Sequence, residues 1–228
     1  MTPVLLLARS FIRQNRWLLL AFVLWPFLLG AFTWSPQHHA NRVEVLEISQ
    51  QEVFYGVAVV AFLASSAVYN EKRSRRIIGV LSKGISRAQY LCGLLFACSV
   101  FAFIYFAAVA GSVIWLLGAS ALTLSASACL IAQGFSAAFW AAALSLLFAT
   151  FLHPFLAAAV AGSAAFAPLA MSQPNAAIAS AATLMNSAGA LAPKLVWAAL
   201  FAALVEGVAF TFIAARIFST RDVTLNIE

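Results

Sequence analysis

Ionisable and polar groups are sparse in this chain, so the few set in apolar surroundings carry most of its chemical information. Glu206 sits about 12 residues inside a long apolar stretch, roughly 18 Å along it if helical. An acid at that depth has two readings. It contacts a substrate or a proton in a wet cavity, or it makes a structural hydrogen bond or reaches interfacial water. Ser65, Ser66, Tyr69 and Asn70 place polar groups at the end of a second apolar run, and Gln133 and Ser136 lie within a third. Such groups could line a pathway, although hydroxyls also back-bond within helices. His153 and Ser163 hold a base and a nucleophile at different depths, about 15 Å apart on a regular helix. His38 and His39, near Glu44 and Glu47, hint at a metal. Adjacent histidines do not direct both rings to one ion on a helix, and the stretch reads as a solvated loop.

One decoy is more instructive. From Gly79 to Ser86 the chain matches the phosphate-binding pattern GxxxxGK[ST] except at Ile85, where the lysine should stand. No strand plausibly precedes it. The chain therefore reads as lacking an ATP site of that kind.

The elements that position these residues are apolar helices. Hydrophobic residues make up 64% of the 228 residues, charged residues 9%, and the mean hydropathy is +0.98. This composition indicates an all-α integral membrane protein with room for about six spans of roughly 20 residues, but none for a separate soluble catalytic domain. The net charge of +6 comes from basic residues scattered beside apolar runs, which is no nucleic-acid signature. Cys92, Cys98 and Cys129 all read as small buried residues.

Residues 2–16 form an amphipathic helix, with Arg9, Arg13 and Arg16 on one face and Val4, Leu7 and Phe11 opposite. That pattern suits a membrane interface and its anionic lipid. Spans follow at 17–34, 52–69, 86–117, 128–152, 155–171 and 194–217. Pro26 should kink the first. Residues 35–51 read as a polar loop, and 172–193 as one or two short helices before the last span. Six spans put both termini and residues 70–91 on one side. Of the Lys and Arg residues, only Arg42 and Lys194 fall on the other. The excess of positive charge makes the first side cytoplasmic and leaves Glu44, Glu47 and Glu52 facing outward. Small residues in AAFWAAALS and AAAVAGSAAFA mark either close helix packing or simple apolar filling.

Residues 70–91 are the only long polar run between two strongly apolar segments. Lys72, Arg73, Arg75 and Arg76 anchor the topology against anionic lipid. Ser86 and Gln89 fit a capping box, with Ile85 and Tyr90 as its hydrophobic staple, so a helix starts at Ser86. Upstream, the second span can run on through Glu71 to about Leu81 before Gly84 breaks it. A helix–turn–helix with a small tip results.

The series Glu71, Gly79-Val80-Leu81, Ser82-Lys83-Gly84-Ile85-Ser86-Arg87, then Tyr90-Leu91-Cys92-Gly93 resembles the signature of ABC transporter type-2 permeases. It departs from that pattern at Val80, where Thr is usual, and at Gly84, where Pro is usual. The likeness of motif covers about twenty residues, and the element order resembles the family throughout. The resemblance implies that Ser82, Lys83, Gly84, Ile85, Ser86 and Arg87, supported by Glu71, form a coupling helix that docks on a separate ATPase. It implies two ATPase subunits holding ATP and Mg, a second permease chain, identical or related, and an exporter in a bacterial inner membrane. Two readings compete with it: an intramembrane serine protease of rhomboid type using Ser163 and His153, and a membrane assembly factor without transport.

Overall fold

A computed structural model describes residues 3–33, 42–73, 85–117, 124–170 and 193–220. Among them are seven helices and no strand. These are α1 (Pro3–Gln14), α2 (Arg16–Thr33), α3 (Arg42–Arg73), α4 (Arg87–Leu117), α5 (Leu124–Ala149), α6 (Pro154–Ala170) and α7 (Pro193–Thr220). Four, namely α3 over Gln51–Asn70, α4, α5 and α7, are long and apolar enough to cross a membrane. The bent pair α1 and α2 makes a fifth candidate, and α6 is a shorter apolar helix.

Helix α5 is the hub. It packs against α3, α4, α6 and α7, while α1 and α2 pack on α4. Every residue from 136 to 146 is buried, so the helix has no outward face over these turns, as expected of a central span. Its alanines let neighbours approach closely. At Gly134 the ring of Phe106 from α4 occupies the place of a side chain. Gly56 of α3 accepts the ring of Tyr105 in the same way.

Local signals explain the helix ends. Asn15 separates α1 from α2, whose axes meet at 68°. Its backbone N–H donates to the Phe11 carbonyl at 3.1 Å, and its own carbonyl accepts from Leu19 at 3.0 Å. Asparagine suits this role of ending one helix and starting the next. Arg16 is therefore the first residue of α2 rather than the last of the amphipathic helix. α2 continues through Pro26. α5 and α6 are joined by a tight turn in which Thr150 Oγ1 donates to Leu147 O at 2.8 Å. His153 O then accepts from Ala157 at 2.9 Å, and Pro154 occupies the first helical position, where its missing N–H costs nothing.

Two expectations need correction. Residues 42–51 belong to α3, not to a polar loop, because Val45, Ser49, Glu52 and Gly56 recur at spacings of four, three and four and form one buried face. Glu52 consequently points into the bundle. Cys92 is exposed, since it lies on the side of α4 that borders a groove with α7, whereas Cys98 and Cys129 are buried. The observed helices otherwise begin and end within four residues of the expected spans where both are described, α5 starting at Leu124 and α7 reaching Thr220. Trp34, residues 74–84 and residues 171–192 lie outside the described residues.

Two glycines give opposite tests of this packing. Gly134→Ala pushes a methyl into the Phe106 ring and should lower stability by about 1–3 kcal/mol. Gly162→Ala enters open space, with nothing within 4 Å, and should cause no loss. Thermal unfolding of each variant in detergent, followed by tryptophan fluorescence, checks the contrast.

Candidate functional site

The start of α4 is built as its residues dictate. Gln89 N–H donates to Ser86 Oγ at 3.1 Å, Ser86 N–H donates to Gln89 Oε1 at 3.0 Å, and Tyr90 N–H donates to Ser86 O at 3.0 Å. This reciprocal pair satisfies amides that a helix N-terminus leaves free. Ile85 is half-buried and Tyr90 buried. Arg87 turns back into the protein. Its guanidinium donates to the Phe218 carbonyl near the end of α7 and lies 5.4 Å from that ring's centroid. A cation there meets both a carbonyl of the last helical turn and the negative end of the helix dipole. Glu71 lies in the last turn of α3, while Ser82, Lys83 and Gly84 fall outside the described residues.

The ends of several helices meet near this start. Gly93 of α4 receives α1 so closely that a Cβ there would lie 3.1 Å from Leu7 and 3.3 Å from the Val4 carbonyl. Phe11 and Phe101 continue the contact, their centroids 6.3 Å apart. On the neighbouring side, Tyr69 of α3 sets its ring edge to face with His153, 5.3 Å away. The first turns of α4 thus hold contacts to both α1 and the end of α7.

The intramembrane polar groups are mostly struts. Ser65 is fully buried, and its hydroxyl lies 3.0 Å from both Phe62 O on its own helix and Pro154 O at the start of α6. Ser145 of α5 donates to Ala61 O of α3 at 2.7 Å. Ser66 back-bonds to Leu63 O at 3.1 Å, and Ser136 to Ala132 O at 2.5 Å. Gln133 is half-buried on α5. Glu206 accepts from the indole N–H of Trp140, across α5 and α7, at 2.6 Å. An acid in lipid depth is costly unless paired, and this bond supplies a partner.

The pair that sequence reasoning missed is Glu52 and Tyr105. Glu52 is 2% exposed, and the Tyr105 hydroxyl approaches both its carboxyl and, at 3.0 Å, its main-chain carbonyl. The other carboxyl oxygen, Oε1, has no hydrogen-bond partner among the described residues. The signal was present in the spacing of Val45, Ser49, Glu52 and Gly56, but only if the polar residues are counted as part of a buried face.

Between α3 and α6 runs a groove of about 560 Å³, lined by Phe54, Ala58, Phe155, Ala158, Ala159, Gly162, Ser163 and Phe166. Aromatic pairs bridge the two helices, Phe54 with Phe166 at 5.0 Å and Phe62 with Phe155 at 5.1 Å. Small residues line the groove between them. Ser163 is exposed here, nine residues into α6, whereas His153 precedes the helix. About 15 Å of helix separates them, so His153 cannot serve as the base for Ser163, which needs hydrogen-bond reach. His38 and His39 lie outside the described residues.

In comparisons with known proteins, the chain matches no protein-family model and no curated sequence.

If Glu206 acts as a strut, Glu206→Gln should retain near-normal stability, because an amide oxygen still accepts from Trp140. Glu206→Ala and Trp140→Phe should each cost about 0.5–2 kcal/mol and combine less than additively. Thermal unfolding of the single and double variants measures this. A Gln variant that is stable but functionally dead would instead assign the carboxyl a role in function.

Proposed function

We propose that this chain is the membrane-spanning subunit of an ATP-driven exporter of the ABC type-2 permease kind in a bacterial inner membrane. In this reading α2 to α7 are six spans, α1 lies at the cytoplasmic interface, and both termini are cytoplasmic. Residues 172–193 supply short outer helices before the last span. Residues 70–91 carry the coupling helix, and a separate ATPase, in two copies, binds ATP and Mg. The observation that carries the reading is the capped start of α4 at Ser86. It sets Ser86 and Arg87, the last two residues of the tip motif, at the head of a 31-residue helix that crosses the bundle.

The mechanism follows from that continuity. Closure of the ATPase pair on ATP moves the tip, and α3 and α4, the helices before and after it in the chain, transmit the movement through the bundle. The bond from Arg87 to Phe218 carries α7 with them. Arg87 thus works inside the chain, so docking falls to Ser82, Lys83, Gly84 and Ile85, with Glu71 bracing the preceding helix. A second permease chain would face the groove between α3 and α6, where small residues permit close approach and Ser163, Tyr69 and the phenylalanines border a shared pathway.

The test is co-purification of the full chain from its native host in mild detergent. An ABC ATPase should accompany the wild type, with ATP hydrolysis in the eluate. Lys83→Glu with Ile85→Asp should insert normally yet lose at least nine-tenths of the bound ATPase (about tenfold). An intact chain that brings no ATPase would point to the assembly-factor reading.

A further inference from the structure

The elbow between α1 and α2 forms a second site. A cleft of about 600 Å³ opens there, lined by Ser10, Arg13, Gln14, Arg16 and Trp17. Among the described residues its wall is cationic and hydrogen-bonding, with one indole and no acid. Arg13 and Arg16 have no carboxylate partner among the described residues, and the cleft retains their charge.

The elbow is held in shape from both sides. Asn15 Nδ2 donates to Phe11 O at 3.0 Å. The Arg16 guanidinium lies 5.4 Å from the centroid of the Trp17 ring, which orients it. Ala8 is buried, and Val4 and Leu7 press on Gly93. The N-terminus of the 18-residue α2 opens into the same place, adding its positive dipole end. Guanidinium groups match phosphate oxygens in geometry and charge.

What lies below the cleft decides the class of ligand. Trp17, Leu20, Leu24 and Leu28 are all exposed and follow one another at spacings of three, four and four. They form an apolar stripe down α2 that starts at the cleft. A free phosphate would use the arginines and leave this stripe uncovered, whereas a glycerophospholipid fits both. We infer that the elbow binds the headgroup phosphate of an anionic phospholipid through Arg13 and Arg16, with an acyl chain along the α2 stripe. The inference rests on α2 lying in a bilayer and is independent of the transport reading.

Native mass spectrometry of the delipidated full chain in detergent tests it, using dioleoyl phosphatidylglycerol and dioleoyl phosphatidylcholine as probes. The wild type should retain one phosphatidylglycerol in preference to phosphatidylcholine. Arg13→Gln with Arg16→Gln should weaken retention about tenfold. Arg9→Gln with Lys194→Gln removes as much charge outside the cleft and should leave retention unchanged. Equal loss in both double variants would reduce the effect to diffuse charge and overturn the site. So would unaltered retention in the Arg13 and Arg16 variant. Displacement of the lipid by millimolar inorganic phosphate would assign the cleft to free phosphate instead.

Discussion

Close approach of helix backbones to α5 is the constraint on which the rest of this structure depends. Lipid offers helices no hydrophobic reason to associate, so contact must come from packing and from polar bonds between helices. α5 meets both needs within a few turns. Its alanines and Gly134 bring α3, α4 and α7 within reach. Ser145 then bonds the main chain of α3, and Trp140 bonds Glu206 of α7. Larger residues on α5 would push these donors out of range, so small size and polar pairing are one device.

The same economy governs the edges of the bundle. Where a backbone group loses its helical partner, a nearby side chain takes it up. Gln89 and Ser86 satisfy each other's amides at the start of α4, and Arg87 serves the carbonyl of Phe218 near the end of α7. The result is a joined start and finish for two helices distant in sequence. A displacement of Ser86 at the start of α4 would therefore be felt at the end of α7 through Arg87.

Much of this was legible in the residues. The helices α4, α6 and α7 stand out because Ser86, Pro154 and Pro193 open long apolar runs with clear start signals. The first turns of α3 were hidden because Arg42, Glu44, Glu47 and Gln51 mask a buried spacing, and polarity was read ahead of periodicity. Glu206 was conspicuous alone. Its partner Trp140 lies 66 residues away in the chain, and no local pattern points to it. Arg13 and Arg16 were visible as part of one basic face, but the cleft between them exists only because Asn15 turns the chain through 68°. Arg87 was read as part of a docking tip, a role its residue type allows equally well; its bond to Phe218 depends on how α7 packs.

The proposed coupling requires that residues just before α4 touch an ATPase. Site-specific photocrosslinking from a benzophenone amino acid at position 83, in living cells of the native host, tests it most directly. The account predicts one dominant adduct between this chain and an ABC ATPase subunit, sensitive to ATP depletion. Adducts only to lipid or to a second copy of this chain, at full expression and correct insertion, would contradict it.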